Sequence, residues 1–224
     1  MDHLAWGKLT KALKASYAKG SVHVVDVTTA PPATKGAKAQ VTTMTADISR
    51  DAAAEAIQGS DGSVTSLVLK DGTIYVRSTA TVLANTLGLS STAATANAGK
   101  WISISQADGA YQTVLAALSI EAELAPYAPT KATAKTGEVT KLKGTEVSVL
   151  PISGRFDATG MATPVDAAAA TFIGQRDGLV QGGSIVVGGK SGAERKLAIF
   201  TSWGKPINVT APTGAVPYAE VYKQ

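Results

Sequence analysis

The spacing of hydrophobic positions changes period along the chain, and each change marks a new kind of element. Trp6, Leu9, Leu13 and Tyr17 recur at helical spacing, with Lys8, Lys11 and Lys14 on another side, which predicts an amphipathic helix over residues 3–18. Lysines towards its end suit the helix dipole, and Gly20 is a natural stop. From Ser21 the period falls towards two, and strands are expected across residues 21–77, among them 21–29 and 39–48 around a loop with Pro31, Pro32 and Gly36. The sharpest signal is Ser66-Leu67-Val68-Leu69-Lys70, Asp71-Gly72, Thr73-Ile74-Tyr75-Val76-Arg77, a hairpin with a two-residue type I′ turn. That turn sets Leu69 opposite Ile74 and Leu67 opposite Val76, so these side chains share one aliphatic face. The other face is mostly polar, as in an antiparallel sheet covered on one side.

Cover for that face follows in the sequence. Residues 81–89 and 91–98 read as short helices, with Val82, Leu83, Leu87 and Leu89 apolar. A longer helix is expected over 108–124, with the stripe Tyr111, Val114, Leu115, Leu118 and Ala122, capped by Asp108 or Ser105 and ended by Pro126 and Pro129. From Lys131 to residue 222 the pattern is strands: 138–142, 145–152, 168–173, 184–187 and 195–203, between Gly-rich or polar turns. The fold class is therefore α+β with segregated helices. No repeat or long linker interrupts it, so residues 1–224 read as a single domain, with Lys131–Gly137 the one plausible seam.

Composition narrows the chemistry. The 224 residues are 45% hydrophobic and 17% charged, enough apolar material for a core. There is no cysteine, hence no disulfide, thiolate metal site or Cys nucleophile, and His3 and His23 are too few for a multi-histidine metal site. The net charge of +4 names no partner, and five arginines with 5% aromatics argue against nucleic-acid binding. No cofactor is implied. Met1-Asp2-His3-Leu4 does not open a signal peptide, and the uncharged run 78–99 is too polar to span a bilayer.

Several motifs fail on spacing or context. The stretch 183–191 ends Gly189-Lys190-Ser191 but has Ser184 where a P-loop needs glycine, and a strand follows it; a hairpin turn is the better reading. Ser16-Tyr17-Ala18-Lys19 and Lys135-Thr136-Gly137 match parts of a β-lactamase set without its third element. Glu121 and Glu123 are two apart on a helix and point to different sides. His23, on the parity of Val25 and Val27, reads as a hydrogen-bonded or rim histidine, and Trp101 and Trp203 as packing groups. Asn208-Val209-Thr210 fits a glycosylation sequon that chance also explains. No catalytic constellation emerges, and the chain does not read as an enzyme.

Ser21-Val22-His23-Val24, Asp71-Gly72-Thr73-Ile74-Tyr75-Val76, Ala98-Gly99-Lys100-Trp101-Ile102 and the ending Phe200-Thr201-Ser202-Trp203-Gly204-Lys205-Pro206-Ile207 occur in an order and spacing with a family likeness. Together they resemble actinobacterial envelope lipoproteins of the LppX/LprG type, related in fold to the LolA/LolB carriers. That resemblance covers about two-thirds of the chain and is poor over 149–192. It implies a curved antiparallel half-barrel with helices covering its concave face, an apolar cavity for acyl chains between them, and a tether through an N-terminal lipidated cysteine. Since the chain has no cysteine, the expectation is that the tether left with a leader and Met1 begins a shortened form. On this reading the protein is an extracytoplasmic carrier of lipid or lipoglycan. Leu67, Leu69, Ile74 and Val76 would line the sheet side of the cavity, and Leu83, Leu87, Val114, Leu115 and Leu118 the lid. The residues by themselves leave a second reading open, an envelope scaffold or interaction module whose core is filled; unfilled volume separates the two.

Overall fold

The computed structural model describes residues 2–32, 38–155, 167–188 and 193–223. The chain opens with α1 (His3–Tyr17), whose first turn is capped by Asp2 accepting from the Leu4 and Ala5 amides, both at 3.0 Å. Its most buried face runs through Ala5, Leu9, Ala12 and Ser16, with Trp6, Leu13 and Tyr17 only partly covered. The contact face is thus rotated from the large-residue stripe, because small side chains let the helix sit close to the sheet.

Five strands follow: β1 (Ser21–Ala30), β2 (Gln40–Ser49), β3 (Ala52–Gly59), β4 (Val64–Lys70) and β5 (Thr73–Arg77). They form an antiparallel meander, and the β4–β5 register matches expectation, Leu69 facing Ile74 and Leu67 facing Val76. Asp71 and Gly72 both take positive φ, 50° and 72°, as a type I′ turn requires. Next come α2 (Ala80–Leu87), closed by Gly88 in the left-handed region, α3 (Ser91–Asn97) and the short β6 (Ile102–Ile104).

One long helix over 108–124 is not what forms. Asp108 instead receives Ser105 N and Oγ, closing a turn before α4 (Tyr111–Ala117), and α5 (Ile120–Leu124) is a separate element. Leu118 leaves the helical region at ψ 43°, and the extended Ser119 caps α5 by accepting from Ala122 N at 3.1 Å. A serine hydroxyl offers the backbone this alternative to a continuous helix. The break turns Leu118 and Ile120 inward together, at 3% and 7% exposure. A 3₁₀ turn, Ala125–Tyr127, carries the chain past Pro126.

The second half supplies β7 (Lys135–Thr136), β8 (Thr140–Lys141), β9 (Ser148–Arg155), β10 (Ala167–Gly174), β11 (Val180–Val187) and β12 (Glu194–Thr201). Residues 202–215 contain no regular element, and the end is β13 (Val216–Pro217) with the short helix α6 (Tyr218–Val221) rather than further strand. The turn expected over 183–191 lies partly outside the described residues, which omit 189–192. All strands join one open sheet, ordered β13-β6-β5-β4-β3-β2-β1-β12-β11-β10-β9-β7, with β8 also on β9. Every pairing is antiparallel except β13 on β6. The sheet is curved, β1 and β12 meet at its middle, and the helices pack on its concave side around one hydrophobic core.

Candidate functional site

Strand pleating decides what reaches the concave face. Val22 and Val24 of β1, Ala46 and Ile48 of β2, Ala53 of β3, Leu67 and Leu69 of β4, and Ile74 and Val76 of β5 all point inward and are buried. Leu83 and Leu87 of α2, Val114 of α4, and Leu118 come down onto the same core, and Leu115 packs against it half-buried. The structure therefore brings the nine expected lining residues into one cluster, eight of them 0–8% exposed. Leu115 and Leu118 also border an indentation, whereas Leu87 lies at a surface hollow beside Tyr218 and Tyr222.

That indentation opens where α1 ends. Tyr17, Gly20, Ser49 and Arg50 form one wall, and Leu115, Leu118 and Ile120, with Glu121 at the rim, form the other; its volume is about 260 Å³. The α4–α5 break creates it, since a continuous helix would not turn both Leu118 and Ile120 towards α1. Burial, helped by the charge of Glu121, raises the Tyr17 phenol above its ordinary range. The volume falls just below the ~300 Å³ at which ligand pockets begin.

A polar cluster interrupts the apolar concave face. Asp26 of β1, only 2% exposed, accepts from the Tyr127 hydroxyl and from Thr28 Oγ1 at 3.3 Å, and pairs with Lys196 Nζ of β12 at 3.3 Å. Lys196 also lies 5.6 Å from the Tyr127 ring centroid. Tyr127 is fully buried and pinned elsewhere too: its carbonyl accepts from Thr171 Oγ1 at 2.8 Å, and Phe200 meets its ring edge-on at 5.8 Å. Burial and the neighbouring Asp26 push its phenol far up, so it stays a proton donor. Glu55 of β3 and Glu123 of α5 complete the cluster. Burial first, then the charge of Glu123, raises Glu55 to about 7, against the opposing pull of Lys196. Glu123 is raised by burial and by Asp26, again opposed by Lys196.

Sequence reasoning missed this cluster, although a signal was present. Asp26 shares the parity of Val22 and Val24, Glu55 that of Ala53, and Lys196 that of Ala198 and Phe200, so each is a charge on an inward-facing position. Glu121 and Glu123 do diverge, Glu121 to the rim of the indentation and Glu123 to the cluster.

The other candidates have structural partners. His23 Nδ1 lies 2.8 Å from Asp47 Oδ1 across β1 and β2. Ser16 is fully buried and accepts from Val180 N at 2.9 Å, so its hydroxyl serves the α1–β11 contact. Trp203 Nε1 donates to Val180 O at 2.8 Å, and Arg77 covers the Trp101 ring at 4.9 Å. Among the described residues no group of three or more His, Asp or Glu is arranged to hold a metal. No described helix is long and apolar enough to cross a membrane.

An open, curved antiparallel sheet with helices on its concave side is the LolA-like architecture. No family model matches the chain, and none of the curated proteins does. Among solved structures it is similar to the Mycobacterium tuberculosis lipoprotein LppX, with a TM-score of 0.56 and 17% identity over 94% of this chain and 100% of that one. The likeness runs the whole length and concerns the fold. Two others superpose far more loosely: a LolA superfamily protein from Nitrosomonas europaea (TM-score 0.27, 10% identity, 88% and 91% of the two chains) and an outer membrane lipoprotein-sorting protein domain from Vibrio parahaemolyticus (TM-score 0.25, 8%, 92% and 94%).

Proposed function

We propose that this chain acts as one domain that carries a lipid or lipoglycan outside the cytoplasm, at the cell envelope, held to the membrane surface by a lipid tether in its precursor. In this reading Leu67, Leu69, Ile74 and Val76 form the sheet side of an acyl-chain chamber, and Leu83, Leu87, Val114, Leu115 and Leu118 its lid. The observation that carries it is the indentation of about 260 Å³ at the α4–α5 break, which reaches Leu115 and Leu118 from outside. A lid of short helices separated by a break can lift in pieces, and an acyl chain entering beneath it gains about 0.8 kcal/mol per buried CH₂. No catalytic step is part of the proposal.

A second reading also has an observation in its favour. Eight of the nine lining residues are packed at 0–8% exposure, as in the filled core of an envelope scaffold or interaction module. Native mass spectrometry of protein purified from its own host, followed by solvent extraction, separates the two. A stoichiometric adduct of acyl-chain mass is expected for a carrier. A bare mass that stays bare when host lipid extract is added overturns the carrier and leaves the scaffold.

A further inference from the structure

The positive charge of the chain is concentrated on its first helix. Residues 1–20 hold four lysines against a single acid, Asp2, and so most of the net charge of +4. Asp2 is committed to the start of α1, where it accepts from the Leu4 and Ala5 amides. Lys8, Lys11 and Lys14 are exposed, and Leu4 is 67% exposed. These four positions lie three or four apart, so they share the side of α1 turned away from the buried Ala5, Leu9, Ala12 and Ser16. Lys19 is exposed where the helix ends. Among the described residues none of the four lysines enters an ion pair.

This face leads to the indentation at the α4–α5 break. Lys19 adjoins Gly20 of one wall, the exposed Arg50 stands on the same wall, and Leu115, Leu118 and Ile120 supply the apolar side. Glu121 is the one acid on that lining. A row of unpaired cations that ends at an apolar mouth matches a lipid surface, anionic at its head groups and hydrocarbon beneath them. A nucleic acid offers no hydrocarbon, and like charge sets the face against a second copy of this chain. Each lysine held close to an anionic leaflet is worth about fivefold in affinity.

We propose that the outer face of α1 docks on an anionic lipid surface, with Leu4 entering among the head groups and Lys8, Lys11, Lys14 and Lys19 pairing with their phosphates, so that the indentation beside Tyr17 meets the bilayer it loads from. The purpose of this docking rests on the carrier reading, while vesicle binding is measured apart from any cargo. The whole chain is floated with vesicles of phosphatidylcholine alone or with about one-third phosphatidylglycerol. Binding to the anionic vesicles is expected to be at least about tenfold tighter at ~0.05 M salt, and the difference to vanish at ~0.5 M, where screening is strong. The triple variant Lys8→Gln, Lys11→Gln, Lys14→Gln loses that preference. Lys100→Gln, Lys143→Gln, Lys223→Gln removes the same amount of exposed charge outside α1 and keeps most of it. Circular dichroism checks both variants for retained fold. Equal binding to the two kinds of vesicle, or equal losses in the two variants, overturns the proposal. So does retention on heparin that the α1 variant loses while wild type leaves anionic vesicles unbound, which gives the face to a soluble polyanion. Absence of vesicle binding in a protein that carries an acyl adduct overturns the docking face and leaves the carrier. Salt-sensitive binding through α1 in a protein that never takes up lipid supports the face and overturns the carrier alone.

Discussion

Tyr127 joins the helical cover to the sheet. Its hydroxyl reaches Asp26 on β1, its carbonyl holds Thr171 on β10, and its ring lies over Gly183 of β11. A Cβ at Gly183 would come 2.2 Å from Tyr127 Cγ, so glycine is required there by close approach. Gly183→Ala should therefore cost about 1–3 kcal/mol in urea denaturation through overpacking, and Tyr127→Ala in the same chain should recover part of that cost, a coupling read from a double-mutant cycle. Tyr127→Phe keeps the ring but removes a hydrogen bond to a charged, buried acceptor, for an expected loss of about 1.5–3 kcal/mol. Glu55 makes stability depend on pH. Its carboxyl binds a proton more tightly in the folded chain, at about 7 against an ordinary 4.5, so folding is favoured below the lower value and the benefit disappears as pH rises through about 7. The gap corresponds to at most on the order of 3 kcal/mol, with Glu123 acting in the same direction. Wild type should lose urea resistance between about pH 5 and about pH 8, and Glu55→Gln should lose distinctly less over the same range.

At the scale of elements, legibility followed local chemistry. The β4–β5 hairpin was readable to the residue because Asp71-Gly72 permits one turn geometry, and the turn then imposes register. β3 was harder: Ala-Ala-Ala-Glu-Ala-Ile-Gln-Gly carries little β-branched signal, and the strand forms because β2 and β4 both pair with it. The expected helix over 108–124 shows the opposite failure, a continuous apolar period across a break set by Ser119. Ser119→Ala should cost about 1 kcal/mol of stability by removing the α5 cap. Hydrogen exchange should then rise at the Ala122 and Glu123 amides, which bond to Ser119 Oγ and O, while β4 and β5 stay protected.

The whole molecule is governed by where its two halves meet. β1 follows the first helix and β12 comes near the end, yet they pair from His23–Thr201 to Thr29–Arg195 and make one sheet of what the sequence presents as two runs of strands. Curvature then gives that sheet an inside, and helices from the middle of the chain fill it. Under the proposed carrier function, loading a lipid from the α1 end requires the indentation bordered by Leu115 and Leu118 to stay open. Leu115 is half-buried, so Leu115→Trp can fill the space while sparing the core. The variant is expected to keep its thermal midpoint and to lose the acyl adduct, or bind added host lipid at least about tenfold more weakly. Unchanged loading would place the entrance elsewhere.

Sequence alone determined the α+β class, the end of the first helix before Gly20, the hairpin register and the aliphatic face that needed cover. These depend on local periodicity and turn geometry, which neighbours in the chain specify between themselves. Only the tertiary structure decided that α1 docks on Ala5, Ala12 and Ser16, that the helical cover breaks at Leu118, and that Asp26, Glu55, Glu123, Tyr127 and Lys196 meet in one interior cluster. Those residues lie on separate elements. Each looked like an isolated charge or aromatic until strand pairing and helix packing brought them together, and only then did burial and their mutual fields act on them.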